Sequence, residues 1–436
     1  MLRGQPQSQT TPSLSAVKWT CMAPPDISAT IKTRCCIAGG GPAGMVLGLL
    51  LARAGVETVV LEKHADFLRD FRGDTIHPST LEIMHELGWL DKFLQRPHQE
   101  LHQIGAQIND FSATVADFSH LPTHCKFIAL MPQWDFLNFI AAQGKSYPQF
   151  HLHMRCEVTD LIEENGRILG LRAKTPQAGI EVRADLTVGA DGRHSIVREK
   201  AGFEVIDRGT PIDVLWMRVT RHPDDPHQTL GRFRAGRILV MLDRDEYWQC
   251  AYVIAKGAFD DIQNQGLPAF REDLAAVAPF LSGRLDQLKS WNDIKLLSVA
   301  IDHLRQWSRT GLLCIGDAAH AMSPVGGVGI NLAIQDAVAA ANLLAEPLLR
   351  GAVTDRVLKK LQKRREFPVR MIQNLQAFAH ERVIRPSLGS RAPLQRLPLP
   401  LRLLQRFPAL RRIPARVVGI GFRPEHVHSP DASRTS

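Results

Sequence analysis

Two stretches of this 436-residue chain carry residues whose types and spacing can hold a phosphate-bearing cofactor. The first, Gly39-Gly40-Gly41-Pro42-Ala43-Gly44, is a G-x-G-x-x-G pattern with Glu62 and Lys63 downstream. In such a pattern the first glycine permits a tight turn, the second lets the backbone approach a pyrophosphate, and the third lets the following helix pack closely. Gly39, Gly41 and Gly44 fall on those positions. Glu62, 18 residues after Gly44, can accept hydrogen bonds from an adenosine ribose, and its charge disfavours a ribose 2′-phosphate. FAD and NAD both fit this half.

The second stretch, Cys314 to Asn331, reads CIGDAAHAMSPVGGVGIN and supplies Gly316, Asp317, Pro324, Gly327, Gly329 and Asn331. An aspartate at the end of a buried strand is costly unless something satisfies it, and a polyol is a fitting partner. NAD has nothing that needs a second site. FAD is long enough to reach one, with its flavin ring and ribityl chain at another helix N-terminus.

The apolar pattern gives the elements that must position these residues. Cys35 to Ala38 and Thr58 to Leu61 read as buried strands around a helix that runs to Ala54, which makes the order strand, glycine turn, helix, strand, acid. Leu312 to Ile315 reads as a further strand, followed by a Pro/Gly loop and a helix from about Ile330. Between the clusters, DVLWMRVT (213–220) and GRILVMLDRDEYWQCAYVIA (236–255) read as short strands. No G-x-S-x-G, H-E-x-x-H or G-x-x-x-x-G-K-[ST] pattern and no Cys/His ligand spacing occurs, so no metal site is expected. His151 and His153 read as a solvated strand face, and His320 as a structural helix-entry residue.

Three motifs in this order carry a resemblance to a known family: Gly39 to Gly44, ADGRHSIVR at Ala190 to Arg198, and GDAAHAMSPVGGVGIN at Gly316 to Asn331. Through them the chain resembles the FAD-dependent aromatic hydroxylases with the para-hydroxybenzoate hydroxylase fold, over about residues 33–345. The resemblance implies that Asp317 contacts the ribityl chain and that Asp191 helps bind FAD and the reducing nicotinamide cofactor. It places Arg72, in DFRGDTIHPSTLEIMHELG, near the flavin, with a helix from about Ser79 to Leu87, and Gln133, in MPQWDFLNFI, facing the ribityl chain. The implied reaction consumes NADH or NADPH as a transient co-substrate, activates O2 at the flavin C4a position and hydroxylates an aromatic or polycyclic small molecule. The chemistry then belongs to the cofactor, and no catalytic side chain is assigned. Trp216, Arg218, Met241 and Tyr252, with the Pro324 loop, are candidates to line the substrate pocket. A reductase of a polyprenyl or quinone-like substrate and a non-catalytic flavin-binding protein are the alternatives.

The implied fold is α/β: a discontinuous Rossmann-like FAD-binding domain with an inserted β-rich substrate domain and a helical, basic C-terminal segment. The expected divisions are a disordered leader at 1–30, cofactor segments at 31–105, 125–205 and 295–350, substrate segments at 106–124 and 206–294, and the helical segment at 351–436. A composition of 44% hydrophobic and 22% charged residues is ordinary for a globular protein. The longest apolar run, Met45 to Ala52, is far too short to span a bilayer and must be buried in protein. Seven scattered cysteines without a C-x-x-C pair read as reduced thiols, which suits the cytoplasm. The net charge of +9 is unevenly spread, because residues 350–436 hold 19 Lys+Arg against 5 Asp+Glu. There, leucines alternate with arginines between prolines, which suits either a helical cap packed on the body or contact with an anionic membrane. Nucleic acid is not expected, since no aromatic residues interleave the charges.

Overall fold

The computed structural model describes residues 27–68, 75–226, 230–234, 236–389 and 397–434. Its main sheet runs in the order Phe150–Met154, Thr58–Glu62, Ile27–Ala38, Gly179–Gly189, Leu312–Cys314, and all four pairings are parallel. Central parallel strands are covered on both faces, which is why Thr58–Glu62 is buried at every residue. Helices Pro42–Arg53 and Gly329–Leu349 pack against one another and on strand Ile27–Ala38. Register aligns the strand ends: Ala38 pairs with Leu61 and with Gly189, and Gly189 pairs with Cys314. The three sequence motifs therefore leave the sheet side by side at its carboxyl edge, where ligands of open α/β sheets bind.

A second sheet of seven strands joins Lys295–Leu297, Ile212–Thr220, Tyr247–Ala255, Arg237–Asp243, Leu230–Arg234, Gln103–Ile108 and Phe111–Asp117. Helices Phe259–Gln265 and Leu267–Val277 cover one of its faces. Three expected boundaries shift. The first strand begins at Ile27 and pairs with Gly179 onward, so backbone pairing orders the last residues of the expected 1–30 leader. Lys295–Leu297, expected in a cofactor segment, pairs with Val214–Trp216 of the second sheet. Gln103–Ile108 joins that sheet from before residue 106.

Beyond residue 351 the described residues form a long helix at Asp355–Ala379 and shorter ones at Leu399–Arg406 and Arg412–Gly419. The final segment then straps back over the body. Arg53 Nη1 donates to the Ser429 carbonyl at 3.0 Å, and the Val427 N–H donates to Glu86 at 2.8 Å. Gly329–Leu349 is long and apolar enough to cross a bilayer, but 72% of its apolar window is buried inside the protein.

Candidate cofactor site

Gly39 adopts φ +105°, and a Cβ there would lie 2.4 Å from the Ala190 carbonyl oxygen. A Cβ at Gly44 would lie 2.0 Å from the Gly39 carbonyl oxygen. Both positions exclude any side chain because backbone cannot give way. Gly41 differs: among the described residues nothing lies within 4 Å of where its Cβ would be. It is the extended N-cap of helix Pro42–Arg53, which no side chain caps, so the first N–H groups face open space suited to an anion. Glu62, buried at the end of the adjacent strand, accepts the Gly40 N–H at 2.9 Å and the His64 N–H at 3.0 Å. Its carboxylate stands at the mouth of the glycine loop, within reach of a ribose there, while Lys63 is exposed beside it.

The second cluster rests directly on the first. Gly316 has φ +59°, and a Cβ there would lie 3.1 Å from Ala43 Cβ. Asp317 follows, one-third exposed, with its Oδ2 3.6 Å from Arg193 Nη2. Arg193 belongs to the middle motif, so all three motifs converge. In that motif Asp191 Oδ2 accepts the Val197 N–H at 3.2 Å, while Oδ1 is buried with no hydrogen-bond partner among the described residues. Burial pushes the Asp191 carboxyl above the usual carboxylate range. A buried acceptor without a donor is costly, and a hydroxyl-bearing ligand would relieve it.

The loop from Pro324 to Val328 is tied down by Asn331. Its Oδ1 accepts the His77 N–H at 2.9 Å and the Thr80 hydroxyl at 2.7 Å, and its Nδ2 donates to the Thr75 and Gly327 carbonyls at 3.2 and 3.3 Å. Asn331 is therefore a clamp between two loops, with its amide engaged by protein. Gly327, at φ +64°, is the clamped residue, and Pro324 stands half-buried at the loop's start. Gly329 opens helix Gly329–Leu349, again with open space at the Cβ position and no side-chain cap. Two uncapped helix N-termini thus open beside the converged motifs. Gln133 is the half-buried first residue of helix Gln133–Gly144. The Arg72 expectation lies outside the described residues.

His77 was not legible as a site residue. Its ring is wholly buried, Nδ1 donates to the Val418 carbonyl at 2.7 Å, and Nε2 has no partner among the described residues. Burial pushes its pKa down to about 4, so near neutral pH the ring presents a bare acceptor beside Gly327. His320 corrects another expectation: it enters no helix but faces Asp336 at 2.5 Å in the buried interior.

On the second sheet, strand parity separates the four substrate candidates. Trp216 shares a face with Val214, Val240 and Val253, packed toward Val325 of the Pro324 loop. Tyr252 pairs with Leu215 and Met241 with Cys250, which turns both toward the covering helices, where Tyr252 meets Phe270 edge-on at 5.4 Å. Met241 and Tyr252 are core residues because side chains of a strand alternate between faces. Arg218 keeps the parity of Trp216 but is exposed, its guanidinium 5.1 Å over the Tyr247 ring.

A family model described as FAD binding domain matches residues 32–375. The chain belongs to that family of FAD-dependent monooxygenases. It is 34% identical over 343 residues to a protein named 6-methylpretetramide 4-monooxygenase from Streptomyces rimosus, covering 76% of this chain and 80% of that protein. A Bacillus subtilis protein named an uncharacterized aromatic compound monooxygenase is 26% identical, and the match spans 71% of this chain and 60% of that longer relative. Among solved structures, the OxyS anhydrotetracycline hydroxylase of S. rimosus superposes with a TM-score of 0.69 at 21% identity, over 89% of this chain and 76% of that one. This chain is an FAD-dependent monooxygenase, a class whose reaction draws on NAD(P)H and O2. FAD fits this site by its own features: an open glycine cradle, two uncapped helix N-termini and a buried Asp191 oxygen without a partner among the described residues.

Proposed function

We propose that this monooxygenase hydroxylates a fused-ring aromatic substrate of the polyketide type, held between the Pro324 loop and the seven-stranded sheet. The observation that carries this is the apolar face made by Trp216, Val214, Val240 and Val253 opposite Val325. Flat multi-ring molecules bury enough apolar area on such a face to be held without a charged anchor. The name of the S. rimosus relative supports the same class. For the cofactor, Gly41 and the helix N-terminus behind it take the pyrophosphate and Glu62 the adenosine ribose. Asp317 takes the ribityl hydroxyls, and the helix N-terminus at Gly329 faces the flavin ring. FAD supplies oxygen transfer when bound; the protein's part is to bind, orient and exclude water. The assay is oxygen uptake with NADH or NADPH in the presence of tetracyclic phenols and of single-ring phenols. Oxygenated product from tetracyclic compounds, at far higher kcat/KM than from single-ring ones, is expected. Nicotinamide oxidation without product from every fused-ring phenol would sink the proposal.

A peripheral membrane contact belongs to the same proposal. On helix Leu399–Arg406 the outward residues are Leu399 and Leu403 beside Arg402 and Arg406, followed by exposed Phe407 and Ile413. An apolar ridge flanked by arginines suits an anionic lipid surface. Flotation with anionic vesicles at low salt, reduced at high salt, is expected; absence of flotation at low salt removes this part. The six described cysteines are free and buried, which supports a reducing compartment such as the cytoplasm.

A further inference from the structure

Behind the Gly316-Asp317 turn lies a row of buried charges that the reaction does not use. Asp336, on helix Gly329–Leu349, is 0% exposed and gathers three donors. Its Oδ2 accepts the Gly316 N–H at 3.0 Å and faces His320 Nε2 at 2.5 Å, and its Oδ1 accepts from Arg365 Nε at 2.8 Å. Arg365, also 0% exposed, reaches onward to Glu425 Oε1 at 3.4 Å. Arg364 grips the same Glu425 carboxylate at 2.8 and 2.7 Å. The row therefore runs from the returning C-terminal strap to the backbone N–H of the residue that precedes Asp317.

Such a row is expensive to bury, and well-packed apolar side chains would serve stability at least as well. A carboxylate held by several donors supplies fixed direction instead. Burial works to raise the Asp336 carboxyl, but the His320 ring and then the Arg365 guanidinium hold it below its ordinary value, so it stays a charged acceptor. Its acceptor oxygen receives the N–H of Gly316, a residue in the left-handed region where an added Cβ would lie 3.1 Å from Ala43 Cβ. The angle of that turn sets where the Asp317 carboxylate stands.

We propose that Asp336, Arg365 and Glu425 are positioning residues for FAD: they orient the Gly316-Asp317 turn, and through it the grip on the ribityl chain, from the far end of the sequence. This rests on the placement of the ribityl chain against Asp317 given above. None of the three touches the cofactor, and the effect passes through Asp317.

The test is a double-mutant cycle on the full-length protein, read as FAD affinity from flavin fluorescence on titrating apoprotein, with the urea midpoint of the apoprotein measured in parallel. Glu425→Gln should weaken FAD about tenfold in the wild-type background and less than about twofold in an Asp317→Ala background, since coupled residues are not additive. Glu425→Asp, which keeps the charge, should recover part of the affinity. A merely structural role would lower the urea midpoint and weaken FAD by the same factor in both backgrounds, which overturns the relay. Full affinity in Asp317→Ala overturns the ribityl placement and the relay with it. If Glu425→Gln does not fold, Arg364→Gln, at the 42% exposed end of the row, is read in the same two backgrounds.

Discussion

Where the parallel sheet carries the proposed cofactor site, tolerances are set by backbone atoms; where the seven-stranded sheet carries the proposed substrate face, they are set by side-chain volume. At the first edge a single methyl group at Gly39 would sit 2.4 Å from a carbonyl oxygen. On the second, Trp216 is flanked by valines that other apolar residues of similar size could replace. The difference teaches why one fold can keep its cofactor while changing its substrate. The cofactor edge is rigid by geometry, and the substrate face is adjustable by composition.

The sharpest way to break this contrast is Gly39→Ala. It should abolish FAD retention and destabilise the protein by more than about 4 kcal/mol, seen as a colourless purified protein with a lowered urea midpoint. A yellow variant of normal stability would show that the edge can yield. Next comes Arg284→Met in the second sheet's hidden side. Arg284 binds Asp225 through two 2.7 Å contacts, and Trp248 Nε1 donates to the same carboxylate at 2.7 Å. Its loss leaves a buried carboxylate without its cation and should cost about 3–5 kcal/mol in urea unfolding, with FAD affinity unchanged. A loss of FAD affinity equal to that of Gly39→Ala would mean the two sheets are not separable.

A third prediction concerns acid. His77 has a folded pKa of about 4, below the 6.5 of the free side chain. The unfolded chain therefore binds a proton first as pH falls. Its contribution is fully present above about 6.5 and is lost between there and about 4, amounting to about 3 kcal/mol. Urea unfolding across that range should show the drop in wild type and a smaller one in His77→Gln; identical pH slopes would refute the assignment. The smallest expected effect is Trp216→Ala, which should raise KM for a fused-ring substrate about tenfold while leaving FAD affinity within twofold, as fits loss of one aromatic contact surface. An equal change in FAD affinity would again merge the two regions.

The cofactor edge was largely legible because its constraints are local. The glycines, Glu62 and Asp317 are read from turn and strand signals a few residues away, and sheet register then brings the three motifs together. The substrate face was half legible. Trp216 and Tyr252 both look like pocket residues until pairing shows Trp216 opposite Ala251 and Tyr252 opposite Leu215. Strand phase relative to the core is a tertiary property. The clamping contacts of Asn331 and the place of His77 were not legible for the same reason: their partners, Thr75, Gly327 and Val418, lie far off in sequence or in loops without periodic signals. Asp336 lies two helical turns beyond Gly329, but nothing local in AIQDA announces that Arg365 and Glu425 will meet it.

The strap that carries Glu425 also has a bearing on the order of synthesis. Arg53 sits in helix Pro42–Arg53, yet its carbonyl partners at Ser429 and Pro430 are synthesised 376 and 377 residues later. A nascent chain can assemble the nucleotide half of the pocket early. The flavin half waits for the strap, so a prematurely stopped polypeptide would capture its prosthetic group at one end and leave the other loose.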